Sequence, residues 1–257
     1  MNIHVNVAYP RISAEGEKFV KELHLSPEIY FTADNLDVIG DKEVDDLKEV
    51  VKRCGSELTV HAPFACLDLG SKEKSVNQNS LNIILRCLEI ASKLGAEAMV
   101  VHPGYGAQTK GIMLPEWVDY AKDNIASIIS NSEKSNVKIA FENIFDREPG
   151  SLKSLLDLAN SDCAGICFDI GHCNLFSKVP MQEWLNVLGE SIIECHAHDN
   201  DRTDDQHKAI GSGTADYDTF VKWYKSIEKT KQPIITLEHR SRSYVTESLA
   251  ALRGLGI

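Results

Sequence analysis

Six strand-like segments of this chain end on a side chain able to hold a metal ion: His61 in TVHAP, His102 in MVVHPG, Glu142 in IAFENI, Asp169 in CFDIGH, His196 in IECHAHDN and Glu238 in ITLEHR. The intervals between them, 41, 40, 27, 27 and 42 residues, are those of repeated strand–helix units. A chain built on that period is confined to parallel strands joined by right-handed crossovers, with every strand pointing its C-terminal end the same way. Side chains distant in sequence then meet at one mouth.

The rest of the chain follows the same alternation. Apolar runs bounded by turn residues predict strands over 3–8, 28–33, 58–62, 97–102, 137–143, 164–169, 192–198 and 233–239. Helical periodicity predicts helices over 11–24, 41–53, 115–131, 151–160, 180–188, 215–229 and 244–253. One more helix carries Leu81, Ile84, Leu85, Leu88, Ala91 and Leu94 before Gly95 ends it. Eight strands and eight helices close into an α/β fold of the (β/α)8 TIM barrel type, and no Pro/Gly/Ser-rich linker divides it, so residues 1–257 are expected to form a single domain. A doubly wound open sheet is the alternative.

Composition narrows the setting. No run of about 18 apolar residues offers a membrane span, and Met1 leads into strand-like IHVNV without a signal-peptide core, so a cytoplasmic protein with no membrane partner is expected. The seven cysteines are odd in number and contain no Cys-x-x-Cys pair, and Cys54, Cys87, Cys167 and Cys195 fall in predicted strands or helices, which suits reduced thiols. A formal charge of −11 disfavours nucleic acid as a partner.

Strand alternation aims the candidates inward. Thr59, Val100, Ala140, Cys167, Glu194 and Thr236, each two residues earlier, share their direction and are mostly small, as a crowded barrel interior requires. Val60, Val101, Phe141, Phe168 and Leu237 face the other way, toward the helices.

A second cluster follows: His196-Ala-His198-Asp199-Asn-Asp-Arg202, then Asp205-Gln-His207, then Gly211-Ser-Gly213-Thr214. A carboxylate and an imidazole two residues apart can hold one metal from a loop, and the Gly-Ser-Gly turn can offer N–H groups to a phosphate or sugar oxygen. Asp169-Ile-Gly-His172 has a similar shape. Taken singly, a strand-end His is ordinarily hydrogen-bonded or solvated, a Gly-x-Gly is a turn, and Glu142 or Glu238 could pair with Arg147 or Arg240. Their joint occurrence at successive strand ends points to metal.

These motifs give the chain a resemblance to the xylose isomerase-like barrel superfamily, which contains sugar and sugar-phosphate isomerases and epimerases and the endonuclease IV type (AP endonuclease family 2). The likeness is carried by HAP at 61–63, HPG at 102–104, EN at 142–143, D-x-G-H at 169–172, H-x-H-D-N at 196–200, D-x-H at 205–207, G-x-G at 211–213 and LE at 237–238. It implies a metal set of Glu142, Asp169, His196 and Glu238, as in the epimerases. The extra positions of the nuclease's three-zinc cluster read His61, His102, His172, Asp205 and His207. The implied cofactor is a divalent metal, Zn or Mn, with Mg or Co as further options. Arg202, six residues after His196, stands where ketose 3-epimerases carry a substrate-binding arginine; His172, His198, Gly211 and Gly213 are expected as further substrate contacts.

The reading ranked first from sequence is a metal-dependent sugar or sugar-phosphate isomerase/epimerase, with Glu142 and Glu238 as catalytic base and acid moving a proton through a metal-stabilised enediolate. Its partner would be a small polyhydroxylated or phosphorylated substrate. The alternative is an endonuclease IV-like phosphodiesterase with a two- or three-metal zinc site, in which Glu142 is the natural bridge. The second inter-strand segment, TADNLDVIGDKEVDD, is short and acidic, unlike the nuclease's DNA-gripping loop, and Phe64 is expected to line the mouth.

Overall fold

A computed structural model describes residues 3–12, 14–55, 57–105 and 113–257. Its strands are β1 (Ile3–Ala8), β2 (Ser26–Tyr30), β3 (Thr59–His61), β4 (Ala98–Val101), β5 (Lys138–Glu142), β6 (Ala164–Asp169), β7 (Ile192–Ala197) and β8 (Ile234–Leu237). All pair in parallel in chain order, and β8 returns to β1 through Ile3–Ile235, His4–Thr236 and Val5–Leu237, closing a TIM barrel. Met1 and residue 13 of the expected first helix lie outside the described residues.

Among the described residues there are ten α-helices: α1 (Ala14–Leu23), α2 (Ala33–Val38), α3 (Asp41–Cys54), α4 (Lys74–Leu94), α5 (Leu114–Ser135), α6 (Gly150–Ala159), α7 (Ile170–Phe176), α8 (Met181–Leu188), α9 (Tyr217–Ser226) and α10 (Arg242–Gly254). The two beyond the expected eight, α2 and α7, are short and each opens on a side-chain cap. Thr32 Oγ1 accepts from Asn35 N at 3.2 Å while Asn35 Oδ1 accepts from Thr32 N at 3.1 Å, a capping box that ends β2 at Tyr30 instead of residue 33. Asp169 Oδ1 accepts from His172 N at 2.6 Å, which turns Asp-Ile-Gly-His into the first turn of α7.

The apolar side chains separate into two clusters. Val100, Ala140 and Cys167 pack together inside the barrel, whereas Val60, Val101, Phe141, Phe168 and Leu237 belong to the large cluster beneath the helices. Phe141 and Phe168 are fully buried there, each contributing about 2–3 kcal/mol. In β7 the parity depends on an irregularity: Ile166 pairs with Ile192 but Cys167 with Glu194, so Ile193 is the extra residue of a bulge. Beyond it Glu194 and His196 point inward. All seven cysteines are free, and no helix among the described residues is long and apolar enough to cross a membrane.

Candidate metal centre

His61, Glu142 and Asp169 are the last residues of β3, β5 and β6; His102 and Glu238 directly follow β4 and β8; His196 is next to last in β7. The barrel therefore gathers them at its C-terminal mouth, with Glu142 at the middle. Glu142 Oε2 lies 2.7 Å from His102 Nε2 and 3.2 Å from His61 Nε2, while Oε1 lies 3.3 Å from His172 Nδ1 and 3.4 Å from His196 Nδ1. His196 Nδ1 is also 3.3 Å from Glu238 Oε2 and 3.8 Å from Asp169 Oδ2. Two ligand groups result, His61–His102–Glu142 and Glu142–Asp169–His196–Glu238, each with donor atoms within 4.8 Å of one another. They share Glu142.

The loop after β7 supplies a third region. Asp205 Oδ2 lies 2.7 Å from His207 Nε2 and 3.7 Å from His172 Nε2. His198, expected as a substrate contact, is fully buried among these groups: Nε2 is 3.1 Å from Asp169 Oδ2 and 3.9 Å from Asp205 Oδ1. It joins Asp169 and His172 in one ligand group and Asp205 and His207 in another.

Several buried donor atoms here have no hydrogen-bond partner: Glu142 Oε1, His196 Nδ1, His198 Nδ1, Asp205 Oδ1 and Glu238 Oε2. Leaving such atoms unpaired costs about 1–3 kcal/mol each, and a divalent cation among them satisfies carboxylate and imidazole together. The residues fit a metal, and the mixed N/O set suits Zn²⁺ or Mn²⁺ better than Mg²⁺. Burial opposes ionisation of Glu142, but His102 and His196 overcome it and hold the carboxyl well below the usual range. Burial likewise disfavours the charged forms of His61 and His207, yet Glu142 and Asp205 respectively raise them to about 9. Both imidazoles must release that proton to become ligands.

Below the mouth lies a polar floor to which the sequence reading assigns no role. Glu28 of β2 accepts from Asn6 Nδ2 at 2.7 Å and lies 3.1 Å from His196 Nε2. Glu194 Oε1 accepts from Thr236 at 2.5 Å and Thr59 at 3.2 Å; burial, then the charge of Glu28, pushes its carboxyl up to about 8. Cys167 forms a group with Glu142 and His196, and burial pushes its thiol up. The available signal is a charged or thiol side chain at an inward position of an apolar strand.

Three expected substrate contacts bond to neighbouring groups of the chain itself. Gly211 N and Gly213 N both donate to Asp199 Oδ2 at 3.0 Å, and Ala215 N to Asp199 Oδ1 at 3.0 Å. The Gly211 and Gly213 N–H groups thus fasten the loop to a buried carboxylate, while Ser212 N donates to the Ala209 carbonyl at 3.0 Å. Arg202 donates from Nε to Asn174 Oδ1 at 3.0 Å and lines a cavity of about 400 Å³ with Asn174, Lys178 and Asp216. Phe64 does line the mouth: half exposed, it stacks on His102 at 5.1 Å and on Tyr30 at 5.7 Å.

A closed parallel barrel with a carboxylate–imidazole centre at its C-terminal mouth defines the class. The chain belongs to the xylose isomerase-like TIM barrel family, whose model matches residues 26–255. An uncharacterized protein of Methanocaldococcus jannaschii is 32% identical, covering 79% of this chain and 71% of the relative. A probable endonuclease 4 of Mycoplasma genitalium is 25% identical, covering 69% of this chain and 65% of the relative. Among solved structures, a Thermus thermophilus protein soaked with ZnCl2 superimposes with a TM-score of 0.82 at 26% identity, covering 99% of this chain and 98% of its own. A D-tagatose 3-epimerase-like protein gives 0.80 at 25%, covering 99% and 97%. Both arms of the family are represented.

Proposed function

We propose that the chain is a metal-dependent phosphoric-ester hydrolase with a two- or three-metal centre, acting on a compact phosphorylated substrate. The observation that carries this is the placement of Glu142, whose Oε2 faces His61 and His102 while Oε1 faces His172 and His196. A carboxylate with each oxygen turned to a separate imidazole pair is arranged to bridge two ions. The isomerase ranked first from sequence needs instead a single ion and a Glu142 oxygen free to move a proton.

Divalent ions held in such a centre would supply a hydrolytic nucleophile near neutral pH and would offset charge at the leaving oxygen. The chain's own residues set the geometry around them. Glu142 fixes the spacing of the two groups, and Glu28 orients His196 from below. Glu238 is the least buried member of its group, with 21% of its side chain exposed, which places it to accept a proton at the mouth. Phe64 covers His102 and restricts water.

A second reading is favoured by one relationship. Glu142 Oε1 and Glu238 Oε2 lie 3.4 and 3.3 Å from the same His196 Nδ1, so the two carboxylates could flank one ion as the acid and base of an epimerase. Metal counting by mass spectrometry on protein purified without chelator, paired with assays on nitrophenyl phosphate mono- and diesters and on ketose sugars, separates the two. Two or more ions per chain with chelator-sensitive ester hydrolysis is expected. One ion with ketose epimerisation would overturn the hydrolase.

A further inference from the structure

We infer that the cavity beside the metal centre receives a planar aromatic leaving group that carries a second negative charge, so that the substrate is a phosphate ester of an alcohol bearing a charged ring. The inference rests on the hydrolase reading and specifies the part of the substrate that the metal ligands do not touch.

Place is the first argument. The cavity encloses about 710 Å³ between the loops that follow β4, β5 and β6, the strands that lead to His102, Glu142 and Asp169. Two ring contacts join it to the centre: the His172 ring lies 6.1 Å from Phe176, and Phe176 lies 5.0 Å from Phe145. A phosphoryl group held near His172 and Glu142 can therefore extend its leaving group into this space. The volume falls within the roughly 300–1,000 Å³ of ordinary small-molecule sites and far exceeds what a phosphoryl group alone would fill.

The lining is the second. Tyr105, Phe145 and Phe176 bring three aromatic rings to the wall, and Met113 adds an apolar side chain. Phe145 is 45% exposed and Met113 73%, so this cavity takes two of the large apolar side chains that the described residues leave to solvent. Tyr105 is held by an edge contact with the buried Trp117 at 5.5 Å. Aromatic faces stack on any conjugated ring, whereas an acyclic polyol offers them no matching surface.

Charge is the third. Arg147 and Lys178 line the same cavity, and their charged groups make no ion pair or hydrogen bond among the described residues. Lys178 N donates to the Arg147 carbonyl at 2.8 Å, which joins the two segments. Of the acids on the lining, Asp146 is turned to its own loop, accepting from Ser151 and from Ile144 N at 3.0 Å, which leaves Glu148 against two cations. In a chain of net charge −11, two unpaired cations at one cavity favour an anion. On hydrolysis the oxygen of water joins phosphorus as the P–O bond to the ring-bearing alcohol breaks, and the departing oxygen takes a proton. The cavity holds that alcohol and contributes no atom to the chemistry.

The test measures kcat/KM of the Zn²⁺-loaded full chain for para-carboxybenzyl, benzyl and propyl phosphate, which share a primary alcohol as leaving group. Wild type should prefer the para-carboxybenzyl ester over the propyl ester by at least about tenfold, and Phe145→Ala should bring that ratio toward unity at wild-type metal content. Arg147→Ala/Lys178→Ala should erase the advantage of para-carboxybenzyl over benzyl phosphate. A nucleoside bisphosphate run beside them distinguishes a nucleoside from a simple aryl alcohol by which has the higher kcat/KM, and either supports the inference. A wild-type ratio near unity, or one that survives Phe145→Ala, would overturn it. If no ester is cleaved, the hydrolase reading falls and binding decides this one: saturation-transfer NMR of para-carboxybenzyl phosphate on chelator-stripped protein should show ring signals that vanish in Phe145→Ala. No such signals with wild type would sink the cavity's role as well.

Discussion

Glu28 Oε2 on β2 lies 3.1 Å from His196 Nε2 on β7, across the barrel and 168 residues away in sequence. By accepting a hydrogen bond from Nε2 it leaves Nδ1 as the nitrogen turned toward Glu142, Asp169 and Glu238. Carboxylates that orient a ligand histidine in this way typically govern metal affinity by about 10–100-fold. Glu28→Ala should weaken metal binding by that amount while keeping the barrel, as measured by competition with a chromophoric chelator. Unchanged affinity would reduce Glu28 to a packing residue.

Glu142 is the residue on which the two inner groups depend. Glu142→Gln should lower bound metal by at least one ion and reduce turnover by more than the roughly 100-fold expected for an outer-shell partner. Arg202→Ala is the matched control, since Arg202 bonds Asn174 and belongs to no ligand group. Its metal content should equal wild type. A Glu142→Gln protein with full metal content would remove the bridge and return the epimerase to first place.

The gap between Glu142 and Glu28 measures what the sequence can reveal. Glu142 ends an apolar strand before a turn, so its position at the mouth follows from strand alternation alone, as it does for His61, His102, Asp169, His196 and Glu238. Glu28 is the middle residue of a short strand whose limits are blurred by the cap at Thr32, and only the closed barrel brings it under His196. The fate of Gly211 and Gly213 is hidden for a related reason. Their N–H groups are free in any reading of the sequence, and only the fold brings the buried carboxylate of Asp199 onto them. His198 is fully buried, a depth that strand periodicity does not carry for the residue after a strand's end.

Gly171 tests the packing around His198. A Cβ there would meet His198 Cε1 at 2.0 Å and Nδ1 at 2.3 Å, with His207 blocking the ring's retreat on the other face. Overpacking of this kind costs about 1–3 kcal/mol. Gly171→Ala should show that loss in urea unfolding of the metal-free chain. Wild-type stability would mean that the ring has more freedom than its neighbours allow.

His4 sets one arm of the pH dependence. It is fully buried, with Nδ1 3.1 Å from Thr59 Oγ1, and burial pushes it down to about 4 against the opposing charge of Glu28. A folded value below the ordinary 6.5 means that the unfolded chain binds the proton more tightly. Stability from this group is therefore complete above about pH 6.5 and falls as the pH drops toward about 4, by up to about 3 kcal/mol. In chelator, His4→Gln should lose less stability than wild type between about pH 7 and about pH 4.5. Parallel losses in both would assign the acid sensitivity to other groups.

The family includes endonucleases, so the substrate's size is the remaining question, and charge addresses it. The chain carries 38 acidic residues against 27 Lys and Arg, and the segment after β2 forms the short helix α2 and then α3, whose first six residues include four acids. A protein that grips duplex DNA must neutralise several phosphates, and its affinity falls steeply with salt as counterions are released. Nothing in α2 or the start of α3 supplies that charge beyond Lys42. Fluorescence anisotropy with an abasic duplex should therefore show no appreciable binding at physiological salt, while small phosphate esters are hydrolysed by the same metal-loaded sample. Salt-dependent duplex binding with metal-dependent incision, lost in Glu142→Gln, would show that the acidic rim does not exclude DNA and would make the chain a nuclease.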